Sequence, residues 1–250
     1  MTGLDAAIGL FFIIMYAGLI LIFSLPRWNQ KPRFLRKMEA VEKLKLAIGL
    51  TVEAGTRIHI SLGNADLLSA YNSSALAGLS VLEQVALISQ LADRNPIATS
   101  GNGAVTVLSN SVFKNSQEGK NAADQKGSNQ GQLSGTTPLS YAAGTINVIR
   151  KDQVSANVFL GHYGSEVALL GQNSNQTKAI TLGASDSLTA QAVLFAYSDE
   201  PLIGEELYAL PAYLGSRRIH TASVKVQDFF RWVLIITMLL GAVLKFLGYI

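Results

Sequence analysis

The sequence predicts an α/β domain, a mostly parallel sheet flanked by helices, tethered by an N-terminal and a C-terminal transmembrane helix. Long apolar segments occupy both ends of the chain, at 6–25 and 229–250. Between them, short apolar runs that end at glycine alternate with stretches of helical periodicity, an order typical of βαβ units. Without the two segments, about 200 residues remain, enough for one domain with its own core.

The first segment, 6–25, contains twenty residues and no charge. A helix of that length crosses the hydrocarbon core of about 30 Å. No Lys or Arg precedes Ala6, whereas a secretory signal peptide begins with a basic region. We therefore interpret the segment as an uncleaved anchor, with Trp28 placed among the lipid headgroups.

Basic residues flank each apolar segment on one side only. Seven Lys or Arg fall within 26–45, after the first segment. Arg217, Arg218, Lys225 and Arg231 precede the centre of the second segment, and only Lys245 follows it. Because cytoplasmic flanks carry the excess of Lys and Arg, we expect a two-pass protein of the cell membrane with a cytoplasmic domain and both termini outside.

The second segment, 229–250, has an uncharged centre, Trp232–Leu244, that is short for a full crossing. Arg231 and Lys245 can extend their side chains toward opposite headgroup layers and so complete the span. A helix lying flat on the membrane needs a polar stripe. Only Thr237 and Gly241 interrupt the apolar centre, so we expect this segment to span.

Residues 26–53 are predicted to form a basic linker helix, because apolar residues recur at three- and four-residue steps among charges. The soluble α/β domain is predicted at 54–215 and a second basic linker at 216–228. Strands are predicted at 57–62, 96–100, 155–160 and 178–182, and helices at 73–94, 104–113, 139–151, 188–197 and 203–213, with a short helix ending at Leu170. The polar stretch 119–138 is predicted to be an exposed loop, either mobile or serving a contact.

Glycine turns follow three predicted strands, at Gly63, at Gly101 and Gly103, and at Gly161. In parallel α/β sheets, ligands bind outside the carboxyl ends of the strands, and glycine lets backbone approach a phosphate. However, the chain has no Walker A sequence, and the turn at Gly101 and Gly103 lacks the third glycine of the dinucleotide fingerprint. Glycine in these turns is equally explained by backbone geometry alone.

Ionisable residues near these turns are the remaining site candidates. His162 has Ser165 and Glu166 close by in sequence, which suggests a nucleophile and base, although Glu166 also suits the start of a helix. Glu205 is a candidate acid, but adjacent Glu206 would point elsewhere on a helix. We assign no catalytic residue and keep seven candidates for ligand binding: Gly63, Gly101, Gly103, His162, Ser165, Glu166 and Glu205.

Net charge and composition indicate which classes of partner and cofactor to expect. The net charge is only +3, from 20 basic and 17 acidic residues, and the basic excess lies beside the apolar segments. This favours anionic lipid headgroups over nucleic acid, for which no recognition motif is present. The chain has no cysteine, and its three histidines lack metal-ligand spacing. We therefore predict no cofactor and no metal.

Three stretches, GTRIHISLGNADL, ANVFLGHYGSEVALL and PLIGEELYALPAYLG, resemble a poorly characterised family of prokaryotic membrane proteins. That family is described as a domain of unknown function with a soluble α/β region beside transmembrane helices. The resemblance covers most of 54–215. It implies a membrane-anchored α/β domain and supplies no catalytic residues.

Two functions are consistent with these patterns. The first is a membrane-anchored structural or assembly protein whose cytoplasmic domain forms a homo-oligomer or binds a larger membrane complex. The alternative is a ligand-binding domain, for a nucleotide or small anion, or a hydrolytic domain, using the glycine turns near Gly63, Gly101 and Gly161. The domain is poor in convergent ionisable groups, which favours the non-enzymatic function.

Overall fold

The computed structural model describes residues 3–25, 37–69, 72–92, 94–116, 130–215 and 218–247. The chain forms two compact units, one containing the terminal helices and the other Lys37–Leu214. The described elements are α1 (Gly3–Ser24), α2 (Glu39–Glu53), β1 (Arg57–Gly63), α3 (Asn72–Ile88), β2 (Ile97–Ser100), α4 (Gly103–Ser116), β3 (Gly131–Leu133), α5 (Pro138–Lys151), β4 (Val154–His162), α6 (Val167–Thr177), β5 (Ile180–Ser185), α7 (Leu188–Tyr197), β6 (Glu200–Leu202), α8 (Glu206–Tyr213) and α9 (Arg218–Phe246).

All six described strands pair in parallel, in the order β3-β2-β1-β4-β5-β6. The predicted α/β class with a mostly parallel sheet is therefore confirmed. At the centre, Ile60 of β1 lies opposite Ala98 of β2 and Val158 of β4. The chain runs outward from β1 through β2 to β3, then crosses back to β4 and runs outward on the other side. The strand order thus reverses between β1 and β4.

Helices cover both faces of this sheet, which explains why its central strands are buried on both sides. One face packs Ile58, Ile60 and Leu62 of β1 against α2, α3, α4 and α8. The opposite face packs Phe159 of β4 against α5, α6 and α7. Side chains alternate along each strand, so the second face receives the polar residues of β1 as well.

Two short edge strands were not predicted. Gly131–Leu133 lies in the polar stretch expected to be a loop, but it pairs with β2 as the edge strand β3. Glu200–Leu202 pairs with β5 as the other edge, β6, and its Pro201 is tolerated because an edge strand leaves one side unpaired. Neither has a long apolar run, since an edge strand buries less surface. Residues 117–129 lie outside the described residues.

Several boundaries also differ from those predicted. β4 continues to His162 because Gly161 remains paired with Ser185, so His162 ends a strand and does not follow one. The linker helix is described only from Glu39, and the predicted residues 26–36 fall outside the described part. Arg218 begins α9, so the basic residues 218–228 continue into the apolar helix without a break.

The terminal unit consists of α1 and α9. Tyr16 connects them: its ring stacks on Phe230 with centroids 5.9 Å apart, and its hydroxyl lies 3.2 Å from the Ser223 hydroxyl. Ala222 and Val226 of α9 are buried. Within the described residues, Ala6–Ser24 and Arg218–Phe246 are both long and apolar enough to cross a membrane.

Candidate functional site

The carboxyl ends of the strands meet at one edge of the sheet. The strand order reverses between β1 and β4, and the helices that follow these strands, α3 and α6, pack on opposite faces of the sheet. In open parallel sheets, such a reversal forms the crevice in which ligands bind. β1 ends at Gly63 and β4 ends at His162, which are register partners. Two of the predicted site positions are thus brought together.

Gly63 and Gly161 allow the two strand ends to approach closely. Gly63 has φ +67°, and a Cβ there would lie 2.4 Å from the His162 carbonyl oxygen. Gly161 has φ +148°, and its Cβ would lie 2.3 Å from the Leu62 carbonyl oxygen. The Asn64 N–H donates to the His162 carbonyl at 2.9 Å. Both positions therefore require glycine for the geometry of the backbone.

In the second predicted glycine turn, Gly101 and Gly103 have different roles. Gly101 leaves room for Asn64, because a Cβ would lie 1.7 Å from Asn64 Oδ1, and its N–H donates to the Gly63 carbonyl at 2.9 Å. Gly103 begins α4, and nothing lies within 4 Å of its Cβ position. The backbone N–H of Ala104 donates to Asn102 Oδ1 at 2.8 Å. The first turn of α4 therefore already has a protein cap.

Glu166 is the carboxylate of the crevice. It precedes α6, is only 7% exposed, and its Oε1 accepts the Gly164 N–H at 2.9 Å. The Asn64 side-chain amide donates to the same oxygen across a longer distance, 3.4 Å. Neither donor is a charged group. Among the described residues, the carboxylate of Glu166 is thus held by two neutral amides.

His162 pairs with a residue that sequence reasoning missed. Its Nδ1 lies 2.7 Å from Asp186 Oδ1, and the two side chains are 27% and 11% exposed. Asp186 directly follows β5, so its place at the end of a neighbouring strand was the available signal. Ser165, the predicted nucleophile, is exposed in the turn before α6. We call Asn64, His162, Glu166 and Asp186 the switch-point cluster.

Glu205 belongs to a different part of the same edge. It is exposed at the end of β6, and strands lie about 4.8 Å apart, so two strand spacings separate β6 from β4. Its neighbour Glu206 accepts the Ile203 N–H at 3.2 Å, which is a local role at the start of α8. The structure does not bring Glu205 into the switch-point cluster.

A buried hydroxyl network supports the crevice from below. Ser61 Oγ lies 2.5 Å from the Tyr141 hydroxyl and 2.7 Å from the Tyr163 hydroxyl. The Tyr163 hydroxyl also lies 2.7 Å from the Ser61 carbonyl, and the Gly63 N–H donates to the Tyr141 hydroxyl at 3.2 Å. Burial raises the pKa of both tyrosines, so the phenols stay neutral. The network holds the backbone of β1 at Ser61 and Gly63.

His59 extends this network deeper into the same face. Asn157 donates through Nδ2 to Ser174 at 2.8 Å, so its Oδ1 accepts from His59 Nδ1 at 3.0 Å. His59 Nε2 then accepts the Thr99 hydroxyl at 2.8 Å. Burial lowers the pKa of His59 to about 4, while the hydrogen bond with Asn157 opposes this shift. The imidazole is therefore neutral and satisfied, which is a structural role.

Parallel sheets commonly use this edge to bind a dinucleotide or a metal ion, and the described residues fit neither use. The strand order is that of dinucleotide-binding sheets, but the residues do not fit a pyrophosphate. Gly63 is followed by Asn-Ala-Asp-Leu-Leu, without the second and third glycine, and α3 begins only at Asn72. In the described ranges, no three His, Asp or Glu side chains lie close enough to hold a metal ion.

Residues 4–250 match the family described as a domain of unknown function (DUF6754). The chain belongs to this family. The match covers nearly the whole chain, so the terminal helices and the α/β unit are parts of one family architecture. No curated protein and no solved structure matches the chain.

Proposed function

We propose that this protein is a membrane-anchored domain that binds a small polar ligand in the crevice between the carboxyl ends of β1 and β4. The reversal of strand order between these strands carries the proposal, because ligands of open parallel sheets bind at such reversals. The switch-point cluster supports it. Hydrogen-bonding side chains that approach from three strand ends provide the polar groups that fix a ligand's orientation.

The anchor is formed by α1 and α9. Their length and apolar composition and the one-sided basic flanks support a two-pass protein with its α/β domain in the cytoplasm. The basic residues after α1 suit anionic headgroups on that side. A ligand site on such a domain would report a cytoplasmic solute to the membrane or to a membrane complex.

The contacts of the switch-point cluster support ligand binding. Asp186 orients one imidazole nitrogen of His162, and Glu166 is engaged by the Gly164 N–H. Both carboxylates thus hold fixed positions, as specificity in binding requires. Ser165 is exposed, and the partner of His162 Nδ1 is Asp186, so the predicted nucleophile and base receive no support from this contact.

A thermal-shift panel tests the proposal on the full-length protein in mild detergent. We expect at least one compound from a panel of nucleosides, nucleotides and sugars to raise the unfolding temperature with saturable dependence on concentration. His162→Ala should abolish the shift, while Glu205→Gln, an exposed change at the end of β6, should leave it intact. A panel without any saturable shift would contradict the proposal, as would a shift that survives His162→Ala.

Self-association is the second candidate, and exposed apolar side chains on α7 favour it. Leu188 and Phe195 are 81% and 65% exposed, and their seven-residue spacing places them on one helix face. Large exposed apolar groups often mark protein contacts. We expect a native mass above the monomer, reduced by Leu188→Gln with Phe195→Gln but not by Leu139→Gln on α5. A monomeric wild-type protein would exclude this candidate.

A further inference from the structure

The place where a parallel sheet often holds a phosphate is filled here by the protein itself. At the end of β4, the Gly164 N–H lies just before α6, and a backbone N–H beside the start of a helix favours an anion. Glu166 Oε1 occupies this position and accepts the Gly164 N–H at 2.9 Å. Asn64 completes the cradle by donating to the same oxygen. A phosphate at this position would have to displace the carboxylate.

The other oxygen of this carboxylate lacks a partner. Glu166 is only 7% exposed, yet within the described part of the chain Oε2 accepts no hydrogen bond. It is not among the fully enclosed unpartnered atoms, so it remains accessible to a donor. A largely buried carboxylate oxygen without a donor is costly. Oε2 is therefore suited to a ligand that donates a hydrogen bond.

The charges around the cluster favour the same kind of ligand. Among the described residues, the carboxylate of Glu166 has two neutral amides as hydrogen-bond partners and no cation. A phosphate would bring two or more negative charges beside this uncompensated carboxylate, and like charges at short distance repel. Hydroxyl groups bring no charge and donate to a carboxylate, as the ribose hydroxyls do in dinucleotide-binding sheets.

We infer that the switch-point cluster takes a ligand with vicinal hydroxyl groups, such as the ribose of a nucleoside, held by Glu166 Oε2, and that it excludes phosphate from the end of β4. This inference rests on the proposed ligand-binding function and specifies its chemistry. Glu166 has two roles in it: one oxygen replaces the phosphate, and the other receives the hydroxyl.

Adenosine, 2′,3′-dideoxyadenosine and pyrophosphate are the probes, measured by thermal shift and calorimetry on the full-length protein in mild detergent. We expect adenosine to bind, and the dideoxy compound to bind at least tenfold more weakly, because it lacks both hydroxyls. Pyrophosphate should not bind the wild-type protein. Glu166→Gln should weaken adenosine binding at least tenfold, since an ionised acceptor makes the stronger hydrogen bond.

A second variant tests whether removal of the carboxylate allows phosphate to bind. Glu166→Ser removes the carboxylate, and we expect pyrophosphate to bind this variant measurably. Glu205→Gln is the matched control, with adenosine affinity within twofold of wild type. The unfolding temperature without ligand shows whether each variant is folded. If Glu166→Ser does not fold, pyrophosphate binding to Glu166→Gln, which keeps the shape of the side chain, tests the exclusion of phosphate instead.

The outcomes separate this inference from the proposed function. Equal binding of adenosine and its dideoxy analogue would overturn the inference, as would pyrophosphate binding to the wild-type protein, but either would leave a ligand site at the switch-point cluster. Failure of pyrophosphate to bind a folded variant without the carboxylate would also overturn it. If no compound of the wider panel binds, both fail.

Discussion

His59 is a fully buried imidazole that the fold holds in its neutral form. Its pKa is lowered to about 4 in the folded protein, mainly by burial, from 6.5 in an exposed histidine. The unfolded chain therefore binds a proton first as the pH falls. The contribution of His59 to stability is complete above about pH 6.5 and is lost as the pH falls toward 4. Since one pKa unit corresponds to about 1.4 kcal/mol, we expect a loss of about 2 kcal/mol between pH 7 and pH 5.

Pulse proteolysis in urea, on the full-length protein in detergent, measures this loss. His59→Gln is the comparison, because glutamine can hydrogen-bond to both neighbours but does not titrate. We expect the wild-type free energy of unfolding to fall more steeply with pH than that of the variant. Parallel pH dependences would mean that His59 is not the group responsible.

Gly63 and Gly161 are required by backbone geometry at the crevice. Alanine at either position would meet a carbonyl oxygen within 2.4 Å, in a backbone region that favours glycine. We expect Gly63→Ala and Gly161→Ala each to lower the free energy of unfolding by about 2 to 4 kcal/mol. Gly103→Ala, which meets nothing within 4 Å, should be neutral or stabilising by up to about 1 kcal/mol. Equal losses at all three positions would contradict this assignment.

Sequence reasoning at the residue scale succeeded where position along a strand determined the outcome. Gly63, His162 and Glu166 were selected because they follow apolar runs, and parallel strands bring such positions to one edge. The partners were not identified, because which strand ends become neighbours depends on pairing between distant segments. Asp186 lies 24 residues beyond His162, and Asn157 lies 98 residues beyond His59.

At the scale of elements, Asn110 protects an edge strand. β3 pairs with β2 on one side only, and its Gly131 directs N–H and carbonyl groups toward α4. The Asn110 side chain accepts that N–H at 2.9 Å and donates to that carbonyl at 3.0 Å. It therefore takes the place of a neighbouring strand at Gly131, and these two backbone groups are not left open to pairing with another chain.

Asn110→Ala should therefore lower the free energy of unfolding by about 2 kcal/mol, because two buried backbone groups lose their partners. It should also promote aggregation on heating. Asn175→Ala, an exposed change on α6, is the control and should have little effect. Thermal unfolding followed by light scattering measures both quantities, and an unchanged Asn110→Ala protein would show that β3 does not need this cover.

The same contrast explains which elements the sequence could predict. β1, β2, β4 and most helices carry enough buried apolar surface to leave a periodic pattern. β3 and β6 have three residues each, and their positions depend on pairing and on side chains such as Asn110. Strand pairing of this kind leaves no local pattern, so both edges were missed.

At the scale of the whole molecule, alternation of strands and helices was sufficient to predict the parallel α/β class. It was not sufficient to predict the strand order. The crossover from β3 to β4 returns the chain to the centre of the sheet beside β1, and a different crossover would use the same local elements. The position of the candidate site could not be predicted either, because the crevice forms only where the strand order reverses.

Orientation in the membrane is the last prediction. The basic excess at 26–45 and before Trp232 predicts that the α/β domain lies in the cytoplasm and that both termini lie outside. The chain has no cysteine, so single cysteines can report each side. We expect Tyr249→Cys to react with an impermeant maleimide on intact cells, and exposed Ser165→Cys to react only after permeabilisation. The reverse pattern would place the ligand-binding domain outside, and labelling of neither position without permeabilisation would mean that α9 does not cross the membrane.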